Sequence, residues 1–146
     1  MSSDRDRIAA AARAWIGTPY HHQASCRGAG ADCLGLVRGV YRDLLGVEPE
    51  LPPPYSPDWA EARGEETLLA ACRRHLREIT PADATTGDVI VFRWRQGLPA
   101  KHLAILVAPN RFVHAIEGAA ACEVRMTPWW RRRIAAAFAF PPLPPS

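Results

Sequence analysis

Near the start of the chain apolar residues recur at Ile8, Ala12, Trp15 and Ile16, the spacing of one helix face, and Ser2 or Ser3 ahead of them supplies an N-cap. Gly17 with Thr18-Pro19 ends that helix and opens a turn-rich loop, GTPYHHQASCRGAGA. The helical period returns in LGLVRGVYRDLL, with Leu34, Val37, Tyr41 and Leu44 or Leu45 on one side. Gly46 closes it, and the proline-laden ELPPPYSP is predicted to be extended, because prolines lack the N–H that helix and central strand need. A third helix is predicted from Thr67 to Ile79, with Leu68, Cys72, Leu76 and Ile79 on one face and Cys72 therefore in the core. From Gly87 the period becomes two: DVIVFRW, KHLAILV, RFVHAIEG, CEVRM and IAAAFAF read as five short strands. Helices first and strands second predict an α+β domain, with N-terminal helices packed on a five- to six-stranded antiparallel sheet. The tail PPLPPS, residues 141–146, reads as extended and exposed.

A length of 146 residues suits one domain spanning 1–146, which can bury roughly 70% of its unfolded surface without cross-links. The formal net charge of +3 is too mild to argue for nucleic acid, and the run Arg131 to Arg133 reads as surface decoration. Lys101 is the only lysine. Charges interrupt MSSDRDRIAA where a signal peptide needs its apolar core, and IAAAFAF is too short to span a bilayer. The expectation is a protein made in the cytoplasm without its own export signal. Cys26, Cys33, Cys72 and Cys122 are irregularly spaced, which together with that compartment predicts free thiols.

Candidate chemistry concentrates on Cys33, placed where the turn-rich loop gives way to the second helix. At a helix start the unpaired N–H groups favour a thiolate, lowering a cysteine pKa toward about 3.5 to 7.5. His102 and His114 then offer a base and a group to orient it, the minimum for covalent acyl transfer. On KHLAILV, His102 shares a side with Ala104 and Leu106, while Leu103, Ile105 and Val107 take the other. The small Ala104, with Gly35 on the helix, is expected to let the helix start rest against this strand. His114 reaches the His102 side only under a parity condition. A plain two-residue loop puts the two histidines on opposite faces, whereas the three-residue loop Ala108-Pro109-Asn110, or a bulge, puts them on one; Asn110 tolerates the left-handed backbone such a loop often uses. His21 and His22, beside Tyr20, read as rim residues of a cleft, and His75 as solvent-facing. Zinc is the rival use of these side chains, but there is no C-x-x-C pair and no H-x-x-x-H helix, so no metal site is expected.

GTPY, DCLG, GDVIVF, KHLAI and VHA, in that order, resemble the NlpC family of papain-like cell-wall cysteine endopeptidases over essentially the whole chain. GTPYHHQ, DCLGLVRGVYRDLLG and PWWRRRIAAAFAF are similar to the branch found in phages and gene transfer agents. The resemblance implies a papain-like fold in which Cys33 is the nucleophile, His102 the general base and later acid, and His114 the polar residue fixing the imidazole. It implies that Tyr20 lines the site near the thiol, that Asp32 caps the helix or contacts a substrate amine, and that the Cys33 N–H faces the oxyanion. The implied substrate is the peptide stem of peptidoglycan, cut between γ-D-glutamyl and meso-diaminopimelate, with no cofactor. Tail proteins of a phage-like particle are the implied partners and the periplasm of a recipient cell the implied place of action. Leu34 stands where many members have serine, and HHQASC is bulkier than their glycine-rich turn, which bears on substrate contacts. Two other readings accompany this one: an amidase or acyltransferase using the same trio, and a tail-tip structural protein without turnover.

Overall fold

Residues 3–50 and 66–145 are described by the computed structural model. Ser3 caps α1 (Asp4–Arg13), its hydroxyl accepting the Asp6 N–H at 3.1 Å, while Ser2 lies outside the described residues. The helix ends earlier than its apolar pattern predicts. Beyond Arg13 the chain tightens, the Thr18 N–H donating to the Trp15 carbonyl at 3.0 Å, so Trp15 is fully buried while Ile16 turns outward at 45% exposure. A small hairpin, β1 (Ser25–Cys26) with β2 (Gly30–Ala31), leads into α2 (Cys33–Leu45). The predicted stripe on α2 is displaced: Leu36, Val37 and Val40 form its buried face, with Leu34, Tyr41 and Leu44 at the margins. The displacement follows from Gly39, where a Cβ would lie 2.0 Å from the Trp15 ring, so the indole packs directly against the helix backbone and turns that face inward.

α3 (Thr67–His75) buries Leu68 and Cys72 as the pattern requires, but it stops short of Ile79. Leu76 is extended at φ −127, ψ 162, and β3 (Arg77–Ile79) pairs antiparallel with β8 (Ile134–Ala139). Pairing satisfies the backbone groups on the outer edge of β8, which outweighs a helical pattern carried by only Leu76 and Ile79. His75 is half-buried, its Nε2 2.8 Å from Glu50 Oε1, and is not the solvent-facing residue expected. Leu51 to Pro57 of the proline-rich stretch lie outside the described residues.

The remaining strands are β4 (Val89–Phe92), β5 (His102–Ala108), β6 (Arg111–His114) and β7 (Cys122–Arg125), with a short helix α4 (Pro128–Arg131) before β8. The five predicted strands are all present, and β3 makes the sixth. The sheet runs β3-β8-β4-β5-β6-β7 with every neighbouring pair antiparallel, an α+β architecture. Strand alternation divides the interior in two. Val89, Val91, Leu103, Ile105, Val107 and Phe138 face the helices, packing with Ile8, Ala12, Trp15, Leu36 and Val40. Ile90, Phe92, Ala104, Leu106, Phe112 and Ala137 face the other way, under Met126 and Trp130. Ala104 therefore points away from the helices and cannot be what admits α2.

Between β5 and β6 the turn has two residues, Pro109 and Asn110, and parity is restored by a bulge: Leu106 faces Phe112 but Ala108 faces Arg111. Ala108 thus belongs to the strand and the three-residue loop is not formed. Among the described residues Gln23 is the only non-glycine with positive φ, so Asn110 does not use the left-handed region. Residues 141–145 have no regular structure, yet the tail is anchored: Leu143 is half-buried and its N–H donates to Asp4 Oδ2 at 3.1 Å. All four cysteines are free thiols, and among the described residues no helix is long and apolar enough to cross a membrane.

Candidate active site

Cys33 is the first residue of α2, and the preceding Asp32 is its N-cap. Asp32 Oδ1 accepts the Gly35 N–H at 2.7 Å and Oδ2 accepts the Gln23 N–H at 2.8 Å, so one buried carboxylate ties the helix start to the loop before it. Gly35 is required here for a reason different from the one the sequence suggests. A Cβ on it would fall 1.8 Å from the Ala24 carbonyl oxygen, so its missing side chain admits the loop and not the strand. Ser25 Oγ donates to the Gly35 carbonyl at 2.6 Å and locks the same contact.

The thiol of Cys33 rests on the beginning of β5. Its Sγ is 3.8 Å from the Lys101 carbonyl oxygen, and the Leu103 N–H also acts on it, so it meets the peptide units on both sides of His102. The expected lowering of its pKa does not occur. Burial first, then the capping carboxylate of Asp32, push the thiol up to about 12, against the smaller opposing pull of the Leu103, Leu34 and Cys33 N–H groups. Tyr20 lies on the same side, half-buried and bridged to Ala31. Burial, then the charges of Asp32, Cys33 and Glu117, raise its hydroxyl to about 12, which places the tyrosine within the field of the thiol. Glu117 was not singled out by the sequence.

His102 and His114 lie on one sheet face because of the bulge. Ile105 faces Val113 and Leu106 faces Phe112, and continuing that register sets the two histidines diagonally, His102 Nε2 lying 2.9 Å from His114 Nδ1. Both are almost fully buried. Burial, then the neighbouring His114, lower the His102 pKa to about 3; burial lowers that of His114 to about 4. Both imidazoles are thus neutral, and one proton lies between the two nitrogens.

An aromatic enclosure surrounds the pair and was missed from sequence. Trp94 is stacked on His102 at 5.1 Å between centroids, with Trp130 and Phe92 each at 5.9 Å, and Phe112 meets His114 edge-on at 5.0 Å. The visible signal was a tryptophan just beyond one strand, FRW, and two just before another, PWW. The other candidates stay outside: His21 and His22 are exposed before the β1–β2 hairpin, Cys26 is exposed on β1, Cys72 is core, and Cys122 is half-buried on β7 as the register partner of His114. Among the described residues no three histidine, cysteine or acidic side chains converge to hold a metal ion.

A thiol, two linked imidazoles and a helix start whose first N–H groups face the thiol make an arrangement able to form and resolve an acyl-thiol. Known proteins resemble the chain in sequence and in fold. The chain is 29% identical over 120 residues to the murein DD-endopeptidase MepS/murein LD-carboxypeptidase of Escherichia coli K12, an alignment covering 82% of this chain and 54% of that protein, so it spans about half of that relative's length. It is 30% identical over 104 residues to the γ-DL-glutamyl hydrolase of Bacillus subtilis 168, covering 71% of this chain and 21% of the relative. Among solved structures, the NlpC/p60 domain of the peptidoglycan hydrolase SagA superposes with a TM-score of 0.70 at 21% identity, over 94% of this chain and 100% of that one. The sequence profile of the NlpC/P60 family matches residues 17–138, and the chain belongs to that family.

Proposed function

We propose that this chain is a cysteine endopeptidase of peptidoglycan stem peptides, with Cys33 as nucleophile, His102 as general base and acid, and His114 as the residue orienting it. One observation carries the reading: the thiol at the start of α2 rests against the peptide units flanking His102, whose Nε2 is engaged by His114. With Nε2 engaged, Nδ1 is the nitrogen left to accept the thiol proton. His102 then carries its own hydrogen on Nε2 and donates to His114 Nδ1, which fixes the tautomer of both rings. Sγ attacks the carbonyl as its proton passes to His102 Nδ1, the oxyanion forms near the Cys33 N–H, and the amine leaves on taking the proton from His102. Water, deprotonated by the same nitrogen, releases the acid and restores the thiol. Tyr20 borders the thiol, while both oxygens of Asp32 are engaged by backbone N–H groups, so its role is to set the helix start rather than to meet substrate.

The bond we infer is that between γ-D-glutamyl and meso-diaminopimelate. The relative named a γ-DL-glutamyl hydrolase favours it, while the one named a DD-endopeptidase and LD-carboxypeptidase supplies the competing bonds. Mass spectrometry of defined muropeptides after incubation separates these outcomes, because each bond leaves a different pair of masses. Unchanged muropeptides would overturn the peptidase reading. The likeness of GTPYHHQ and PWWRRR to phage and gene-transfer-agent proteins supports delivery by a tail-like particle to the recipient periplasm. Co-sedimentation of the protein with purified particles tests that delivery, and its absence from them would refute it.

A further inference from the structure

We propose that Trp94 is a positioning residue for His102, an indole cover that holds the imidazole plane and keeps water from its flank. The proposal rests on the peptidase reading for its kinetic consequences but not for its physical ones. Trp94 lies two residues beyond the end of β4, and its ring is the nearest to His102 among the surrounding tryptophan and phenylalanine rings, nearly parallel to it at 25°. The centroid separations Trp94 to His102, Trp130 to His102 and Trp94 to Trp130 are 5.1, 5.9 and 5.9 Å, almost an equilateral triangle. A sandwich would set the two indoles about twice the stacking distance apart, so both cover one flank of the imidazole. Trp94 is half-buried and belongs to neither apolar cluster, whereas Trp130 packs on the second of them. Its ring therefore serves the histidine more than the core.

The backbone at Trp94 is held independently of that ring. The Arg93 N–H donates to the Arg133 carbonyl at 2.8 Å, continuing the β4–β8 ladder, and Arg133 Nε donates back to the Trp94 carbonyl at 3.2 Å. Arg133 also donates to the Trp129 carbonyl at 2.8 Å, so a single guanidinium ties the segment bearing Trp94 to the helix bearing Trp130. The charged and titratable neighbours are Cys33 and Asp32 from the start of α2, His114 from β6, Lys101 before β5, Arg93 and Arg95 beside Trp94, and Arg133. Of these, Arg93 is bound to Glu66 and to the Leu98 carbonyl and Arg133 to the carbonyls just named, while the His102 pKa is lowered first by burial and second by His114. With Arg93 and Arg133 bound to other groups and burial the largest influence on His102, removal of the indole acts on it chiefly by admitting water.

The test compares Trp94→Ala and Trp94→Phe by NMR titration of the histidine ring signals in a Cys33→Ala background, and by pH profiles of muropeptide cleavage with Cys33 intact. In Trp94→Ala the His102 pKa should rise by about one unit or more, toward the solvated value. Its kcat should fall about tenfold with KM within about twofold, and Trp94→Phe should recover most of both effects. An unchanged titration overturns the proposal, as does a loss confined to KM, which would make Trp94 a substrate contact. Should Trp94→Ala fail to fold, Trp94→Leu is read in its place, since it keeps apolar bulk without the flat ring. The titration needs no turnover, so a protein that cleaves nothing but whose His102 pKa moves with Trp94 refutes the peptidase reading alone.

Discussion

The buried histidine pair should make this fold sensitive to mild acid, and the size of the effect follows from the site. In the unfolded chain each imidazole titrates near its ordinary value of 6.5, while in the folded protein burial holds His102 to about 3 and His114 to about 4. The folded state thus binds fewer protons. Stability contributed by keeping these rings neutral is complete above the unfolded pKa and is lost as pH falls from there toward the folded values. At about pH 5 each ring has fallen roughly 1.5 units behind its unfolded counterpart, which is about 2 kcal/mol. Neither ring is appreciably charged in the folded protein at that pH, so their mutual repulsion does not enter and the two contributions add to about 4 kcal/mol. Against a typical total of about 5 to 15 kcal/mol, such a loss is large.

Urea unfolding followed by tryptophan fluorescence between about pH 7 and pH 5 measures this directly, with a midpoint expected to fall by about 2 M at an m-value near 2 kcal/mol per molar. Carboxylates do not confuse that window. Glu66, held down by Arg93, and Glu123, held down by Arg13 and Arg111, lose their contributions only below the ordinary carboxylate range. His21, His22 and His75 are present in both wild type and the His102→Gln/His114→Gln variant, so the difference in pH slope between the two isolates the pair. The variant will be less stable at neutrality, but its curve should be flatter by about 4 kcal/mol over the same interval. Parallel curves would refute the claim that both rings are neutral in the folded protein.

Cys33→Ala should abolish muropeptide cleavage, whereas Cys72→Ala should keep turnover and cost about 1 to 2 kcal/mol in urea unfolding, since Cys72 only fills the core. Cys122→Ser is the informative control, because Cys122 faces His114 across the β6–β7 pair; cleavage should survive it. His114→Gln should lower kcat and kcat/KM together with KM little changed, and His114→Ala should be worse; a His114→Ala enzyme as fast as wild type removes His114 from the mechanism. Gly35→Ala drives a methyl into the Ala24 carbonyl, a clash with backbone that cannot swing aside, and should cost about 3 kcal/mol or more in the same unfolding assay. Alkylation of Cys33 by iodoacetamide, followed by peptide mass spectrometry, should climb about tenfold per pH unit through the alkaline range without a neutral plateau, and a plateau near neutrality would show a resting thiolate.

What the sequence made legible was local. An aspartate before the first apolar residue of a helical run announces the α2 cap, and strict alternation in KHLAILV announces β5, because both signals lie within a few residues of the feature they create. The shared face of His102 and His114 was legible as a condition, and the bulge at Val107 meets it where the three-residue loop was the other solution. What failed was decided at long range. Alternation separates two faces of β5 but does not say which one meets the helices, and the Ala104 argument chose the wrong one. Leu76 to Ile79 continue a helical pattern, yet an unpaired edge of β8 takes them as strand. Burial of the Cys33 thiol depends on a segment about seventy residues away in sequence, and the Trp130 indole reaches His102 from about thirty, beyond any local pattern; Trp94 is nearer in sequence, but a turn outside the strand period brings it back over the ring.

The reversed pKa of Cys33 changes how the site must work. A helix start alone would favour a standing thiolate, but here burial and the Asp32 carboxylate oppose it, and burial equally withholds the proton from His102. The uncharged pair is the resting state, since a thiolate beside an imidazolium would place two charges where both are poorly solvated. In the mechanism we propose, charge then appears only as the substrate carbonyl is attacked, when negative charge passes from sulfur to an oxyanion facing the helix start and positive charge spreads from His102 toward His114. The thiol meets β5 from the helix side, at the peptide units flanking His102, the first residue of the strand, while the His102 side chain turns toward the opposite face. The same position explains the need for cover. A histidine at a sheet end lacks neighbouring strand residues on one side, and Trp94 and Trp130, carried in from beyond β4 and from α4, close the gap that the sheet leaves open.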